Sequence, residues 1–197
     1  MLRSTQFELF NRLIYIYILL IIATLLLTVI SFGQDHMTFK GVEINGSLAD
    51  VVDNLEKVGF KYITTENRVA ALEGNFAGFN ALIMAIPNRK GDVYAIMATY
   101  YEGLHSWGKA VQLFDVLENN LTKKYGKPTS TKDIGTWTDG TTPIAEGDGE
   151  WISEWTVDKG NIKLAIIATE VYQLGLTLAY ADAENLKAEQ QSVYDDL

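Results

Sequence analysis

Residues 13–32 read LIYIYILLIIATLLLTVISF, a run of 20 residues without one charge. No soluble domain of this size needs such a segment, and about 20 apolar residues suffice to cross a bilayer. The run follows Arg3 and Arg12, with Glu8 as the only acid before it. This order, basic then apolar, directs the rest of the chain outward. Ser31-Phe32-Gly33 places small residues where a signal peptidase cuts, with Gln34 as the new first residue. A cleaved signal over residues 1–33 is the first expectation, and a retained single-pass anchor is the second. Either way residues 34–197 are expected outside, in the periplasm or beyond it. The membrane is met only through residues 13–32, if they are uncleaved.

The exported part must fold without disulfides, because the chain holds no cysteine. That absence also excludes thiolate metal sites, a cysteine nucleophile and a lipoprotein anchor. An exported domain without disulfides fits a bacterial envelope. The whole chain of 197 residues has a formal charge of −9. Setting aside Arg3, Arg12 and Glu8 leaves 14 basic residues against 24 acidic ones in the exported part. Nothing there balances phosphate charge, so nucleic acid is not an expected partner.

Hydrophobic spacing predicts an α+β domain. Residues 38–44 (TFKGVEI) read as a short strand. Ser47 then caps a helix over residues 48–58, with apolar residues at Leu48, Val51, Val52, Leu55 and Val58. Strands are predicted at 60–66, 68–76, 79–87 and 92–101, with Asn88-Arg89-Lys90-Gly91 as a hairpin turn. The last of these is apolar on both faces, so it should run through the middle of a sheet. A second helix starts after Ser106 and carries the stripe Ala110, Phe114, Leu117, Leu121 and Tyr125. Strands are predicted again at 133–138, 150–157, 161–169 and 171–180, with a turn at Asp158-Lys159-Gly160-Asn161. Asp182 caps a polar terminal helix over residues 182–192.

Lys90-Gly91-Asp92-Val93 lines up with Lys159-Gly160-Asn161-Ile162, and Ala95-Ile96-Met97-Ala98-Thr99 with Ala165-Ile166-Ile167-Ala168-Thr169. The expected fold is therefore a tandem repeat of a helix plus about four antiparallel strands, preceded by an N-terminal apolar helix. The two copies cover about 38–103 and 104–181. Neither buries much core alone, so they should share one sheet or pack face to face.

The stretch from Met37 through Phe39-Lys40-Gly41-Val42-Glu43-Ile44 to Gly46-Ser47-Leu48 resembles the start of small bacterial secreted proteins of unknown function. Those open with a similar element directly after a signal peptide. The resemblance implies export and an α+β domain, and it brings no catalytic residues. The duplicated layout is also similar to the β-lactamase-inhibitor-protein architecture, a likeness of architecture that does not fix function.

Few motifs carry chemistry. Gly103-Leu104-His105-Ser106-Trp107-Gly108-Lys109-Ala110 nearly matches a phosphate-binding loop. Ala110, however, lacks the hydroxyl that would hold magnesium, and the surrounding strands are antiparallel. Ser106 as a helix cap explains the segment better. Of the two histidines, His36 is expected to be mobile beside the cleavage site, and His105 sits in a loop. The G-x-S-x-G and H-E-x-x-H patterns do not occur. No cofactor is implied.

Residues 137–155 stand out. They hold Trp137, Trp151 and Trp155, three of the chain's four tryptophans, and the carboxylates Asp139, Glu146, Asp148, Glu150 and Glu154. On a strand, Trp151, Ser153 and Trp155 share one face. Exposed, that face would dock a protein or a sugar. Ligand-binding candidates are thus Trp137, Trp151, Trp155, Asp139 and Glu150. A calcium site at Asp139, Glu146 and Asp148 is the weaker alternative, because the usual loop spacing is missing. Strand tyrosines at 62, 94, 100, 101, 172 and 180 assign no site, since strands favour tyrosine for packing alone.

The expectation is a non-catalytic binding domain using a sheet face and the 137–155 segment, with an envelope protein or a glycan as partner. An envelope glycan hydrolase using the 139–154 carboxylates is one alternative, and a membrane-tethered scaffold is another.

Overall fold

Two meanders, each led by a helix, meet in the middle of one sheet. The computed structural model describes residues 36–195, apart from 105, 135–138, 171 and 172. A small hairpin, β1 (Thr38–Phe39) and β2 (Val42–Glu43), comes first. Helix α1 (Leu48–Lys57) leads into β3 (Lys61–Glu66), β4 (Val69–Phe76), β5 (Phe79–Pro87) and β6 (Val93–Tyr100). Helix α2 (Trp107–Tyr125) leads into β7 (Ser130–Lys132), the short α3 (Thr141–Glu146), β8 (Trp151–Val157), β9 (Gly160–Glu170) and β10 (Gln173–Asp182). Helix α4 (Ala183–Asp195) closes the described chain. The large sheet has eight strands in the order β3-β4-β5-β6-β10-β9-β8-β7, and every neighbouring pair is antiparallel.

The local causes are legible residue by residue. Ser47 Oγ accepts from the Asp50 backbone N–H, capping α1, while Val51 and Leu55 are buried beneath it. Asn88 and Asp92 close the β5–β6 turn, where Gly91 adopts a φ of +103°. Gly160 opens β9 against the Asp182 end of β10, and a side chain there would run into the Ala181 carbonyl. Asp182 Oδ1 accepts from the Asn185 backbone N–H and so caps α4.

Four expectations change. Residues 38–44 are two strands rather than one, because the chain reverses at Lys40 and Gly41, with φ of +50° and +83°. Of the strand expected at 133–138, residues 133 and 134 are not in a strand and 135–138 lie outside the described residues, while β7 runs just before it at Ser130–Lys132. Ser106 occupies the cap position of α2, but its side chain makes no capping hydrogen bond. The residue likeness between 90–99 and 159–169 matches the β5–β6 hairpin to the β8–β9 hairpin, which are not equivalent in strand order. The expected apolar helix over 13–32 lies outside the described residues. Among the described residues no helix is long and apolar enough to cross a membrane.

The two faces of the sheet differ sharply. One is covered by α1 and α2, whose Val51, Leu55, Ala110, Phe114, Leu117 and Leu121 pack onto Ile83, Ile96, Leu164, Leu176 and Trp155 in one core. Phe39 from the small hairpin joins that core among Phe60, Phe76 and Tyr180. The residues between these alternate to the other side, as the pleat requires. In register across that second face stand Leu82 with Thr99, Met84 with Met97, Thr177 with Thr99 and Ala165, and Ala165 with Ile152. Leu82, Met84, Met97 and Ile167 are half-buried there and stand outside the core cluster, as do Ala95, Ile152 and Ala165. Helix α4 packs across β6, β9 and β10 from the Asp182 end.

Candidate functional site

Two tryptophans of the 137–155 segment, Trp151 and Trp155, pack into or against the core. Trp155 is 1% exposed, and its indole N–H donates to the Gly126 carbonyl at 2.9 Å. Trp151 packs edge-on against Trp107 at 5.2 Å and Phe114 at 6.2 Å, under α2. Ser153, between them, is buried and donates to Glu118 of α2. The expected exposed tryptophan face therefore fails at Trp151 and Trp155. The alternation was right, but α2 covers that side. Trp137 lies outside the described residues.

The carboxylates of the segment have structural partners or stand apart. Asp139 accepts from the Thr141 backbone N–H at 2.8 Å, and its hydrogen bonds to Thr141 hold its carboxyl below the usual range. Glu150 pairs with Lys132 of β7 at 2.6 Å, and that hydrogen bond likewise lowers its pKa. Glu154 pairs with Lys163 of β9 at 3.4 Å. Glu146 and Asp148 are exposed. Asp148 and Glu150 line a shallow cleft of about 410 Å³ with Asp133. A glycosidase acid needs a carboxyl raised toward neutrality. Asp139 and Glu150 are shifted the opposite way. Among the described residues no three His, Asp or Glu side chains come together to hold a metal, so Asp139, Glu146 and Asp148 do not form the calcium site.

His36, expected to be mobile, lies against the fold. Its Nδ1 lies 3.2 Å from Asp182 Oδ1, and Asp182 Oδ2 also accepts from the Met37 backbone N–H at 2.8 Å. The fully buried Asp182 thus ties the start of the fold to the cap of α4. This is a structural clasp. His105 lies outside the described residues.

The features that remain are on the second face. Along its middle, β10 presents Gly175, Thr177, Ala179 and Ala181, nothing larger than threonine. Larger side chains flank this lane: Leu82, Met84 and Met97 on one side, Ile152 and Ile167 on the other. Small residues between large ones make a trough. Thr99 Oγ, buried on this face, has no hydrogen-bond partner.

Where β3 to β6 end, a cleft of about 350 Å³ opens between Lys61, Glu73, Asn80, Tyr101 and Glu102. Lys61 Nζ lies 3.4 Å from Glu73 Oε1, and Asn80 Nδ2 donates to Glu102 Oε2 at 3.2 Å. Tyr101 is 53% exposed. Beside it, on the α2 side, Phe79, Leu104, Leu113 and Val116 line a second, more apolar cleft of about 330 Å³. Sequence reading named Tyr101 only as a strand tyrosine and did not single out Lys61, Glu73, Asn80 or Glu102 as site residues. The one available signal was an aromatic followed by a charge and a glycine, Tyr101-Glu102-Gly103, at a strand end.

No protein-family model, curated protein or solved structure matches this chain.

Proposed function

We propose that the chain is an exported, non-catalytic binding domain that engages its ligand through the sheet face opposite α1 and α2. One observation carries the reading. The helices bury one face of the sheet, while the other keeps Leu82, Met84, Met97 and Ile167 half-buried and outside the core. One-sided antiparallel sheets ordinarily place polar residues toward water. An apolar lane framed by charges such as Glu73, Lys163 and Glu154 is the pattern of an interaction surface. The uncharged run at residues 13–32 supports export. The two helix-plus-meander units, α1 with β3–β6 and α2 with β7–β10, support a tandem duplication read from element order rather than from residue likeness.

The test is sedimentation of purified residues 34–197 with the bacterial cell-envelope fraction. Wild-type protein is expected to co-sediment, and the double variant Met84→Lys/Met97→Lys to stay in solution with its fold intact by circular dichroism. Equal sedimentation of both would refute the assignment of this face. The N-terminal mass of the native protein separates a cleaved signal, beginning at Gln34, from the tethered scaffold, which would retain residues 13–32.

A further inference from the structure

The cleft at the end of that face has a chemistry of its own. From it, and resting on the reading of the chain as a binding domain, we infer that Tyr101, Asn80, Glu102, Lys61 and Glu73 form a docking site for a hexose unit of a neutral glycan.

A hexopyranose offers two kinds of surface. One face is a patch of polarised C–H groups, and the rim is a ring of hydroxyls, each both donor and acceptor. Tyr101 supplies the counterpart of the first. Half of its surface is open, and the negative face of an aromatic ring attracts positively polarised hydrogens. The two couples supply the counterpart of the second. Asn80 with Glu102, and Lys61 with Glu73, each place a donor within 3.4 Å of an acceptor. A hydroxyl meeting such a couple donates a hydrogen bond to the carboxylate and accepts one from the amide or ammonium. Contact within each couple also limits the side-chain freedom lost on binding.

Size and charge narrow the ligand. A cleft of about 350 Å³ holds one ring rather than a folded segment. Its openness lets a chain continue on either side. Two carboxylates against one ammonium disfavour uronic acids and phosphorylated sugars.

The experiment is affinity electrophoresis of the folded 34–197 chain in native gels cast with glycogen, galactomannan, dextran or mixed-linkage β-glucan. Wild type is expected to be retarded by at least one of these. Tyr101→Ala should bind that polysaccharide about tenfold more weakly, and Asn80→Ala should also weaken it. Tyr194→Ala, on the exposed end of α4, should migrate as wild type does. These three side chains are exposed, so folding is not at stake. Free migration of wild type in every gel would overturn the inference, as would equal retardation of Tyr101→Ala. If Met84→Lys/Met97→Lys still abolishes envelope sedimentation while no polysaccharide retards the wild type, the saccharide site falls and the binding domain stands.

Discussion

The strands of one sheet do opposite work on their two sides. On the covered side, β8 sends Trp151, Ser153 and Trp155 under α2, and all three are held by rings or hydrogen bonds. On the other side, β10 sends out only Gly175, Thr177, Ala179 and Ala181. The two indoles sit where α2 covers them, while β10 sends only small side chains to the opposite face, between Leu82, Met84 and Met97 on one side and Ile152 and Ile167 on the other. Trp151 and Trp155 therefore serve the packing of the fold. In the proposed reading, binding falls to the less conspicuous residues at strand ends and along the trough.

The comparison can be broken at either face. The largest effect is expected from Trp155→Ala, which empties a buried indole site and strands the Gly126 carbonyl. A loss of about 3–5 kcal/mol in urea unfolding is expected. A loss within the scatter of surface variants would mean the covered face is not the core. Next is Asp182→Ala. It removes the acceptor shared by the Met37 and Asn185 backbone N–H groups. About 2–3 kcal/mol should be lost, with earlier proteolysis near residue 37. Met84→Lys/Met97→Lys should cost less than about 1 kcal/mol, because both sites are half-exposed already, while envelope sedimentation disappears. A cost as large as that of Trp155→Ala would show this face to be core as well.

The smallest effect concerns pH. Partial burial, then the nearby Glu118 carboxylate, raises the pKa of Asp115 in α2. The folded chain therefore holds that proton more tightly than the unfolded chain. This contribution favours folding at acid pH and is lost as pH rises through the raised value. Asp115→Asn should remove that dependence and leave the chain more stable than wild type by about 0.3 kcal/mol at neutral pH, a small figure because Asp115 is exposed. Thermal unfolding at acid and neutral pH checks the sign.

Legibility in the sequence tracked the range of each signal. α1 and α2 came from local spacing and, for α1, from Ser47, and the β5–β6 turn from Asn88 to Gly91. The central place of β6 came from its being apolar on both faces. Alternation correctly put Trp151 and Trp155 on one side, but it carries no information about which side a helix will cover. That depends on α2 crossing back from residue 107 over strands that come after it in the chain. The β1–β2 reversal was missed although the apolar positions Phe39, Val42 and Ile44 change phase at Lys40-Gly41, where the chain takes positive φ. The cleft was out of reach for the same reason as the Asp182 clasp. Lys61, Glu73, Asn80 and Glu102 meet only after four strands have paired, and Asp182 reaches Met37 across 145 positions.

The most direct measurement is photo-crosslinking in cells. A photoreactive residue is placed either at Met84, on the face opposite α1 and α2, or at Glu56, on the exposed side of α1. Abundant, specific adducts from position 84 and none from position 56 are the predicted result. Adducts from position 56 alone, or equal adducts from both, would contradict the division of labour between the two faces.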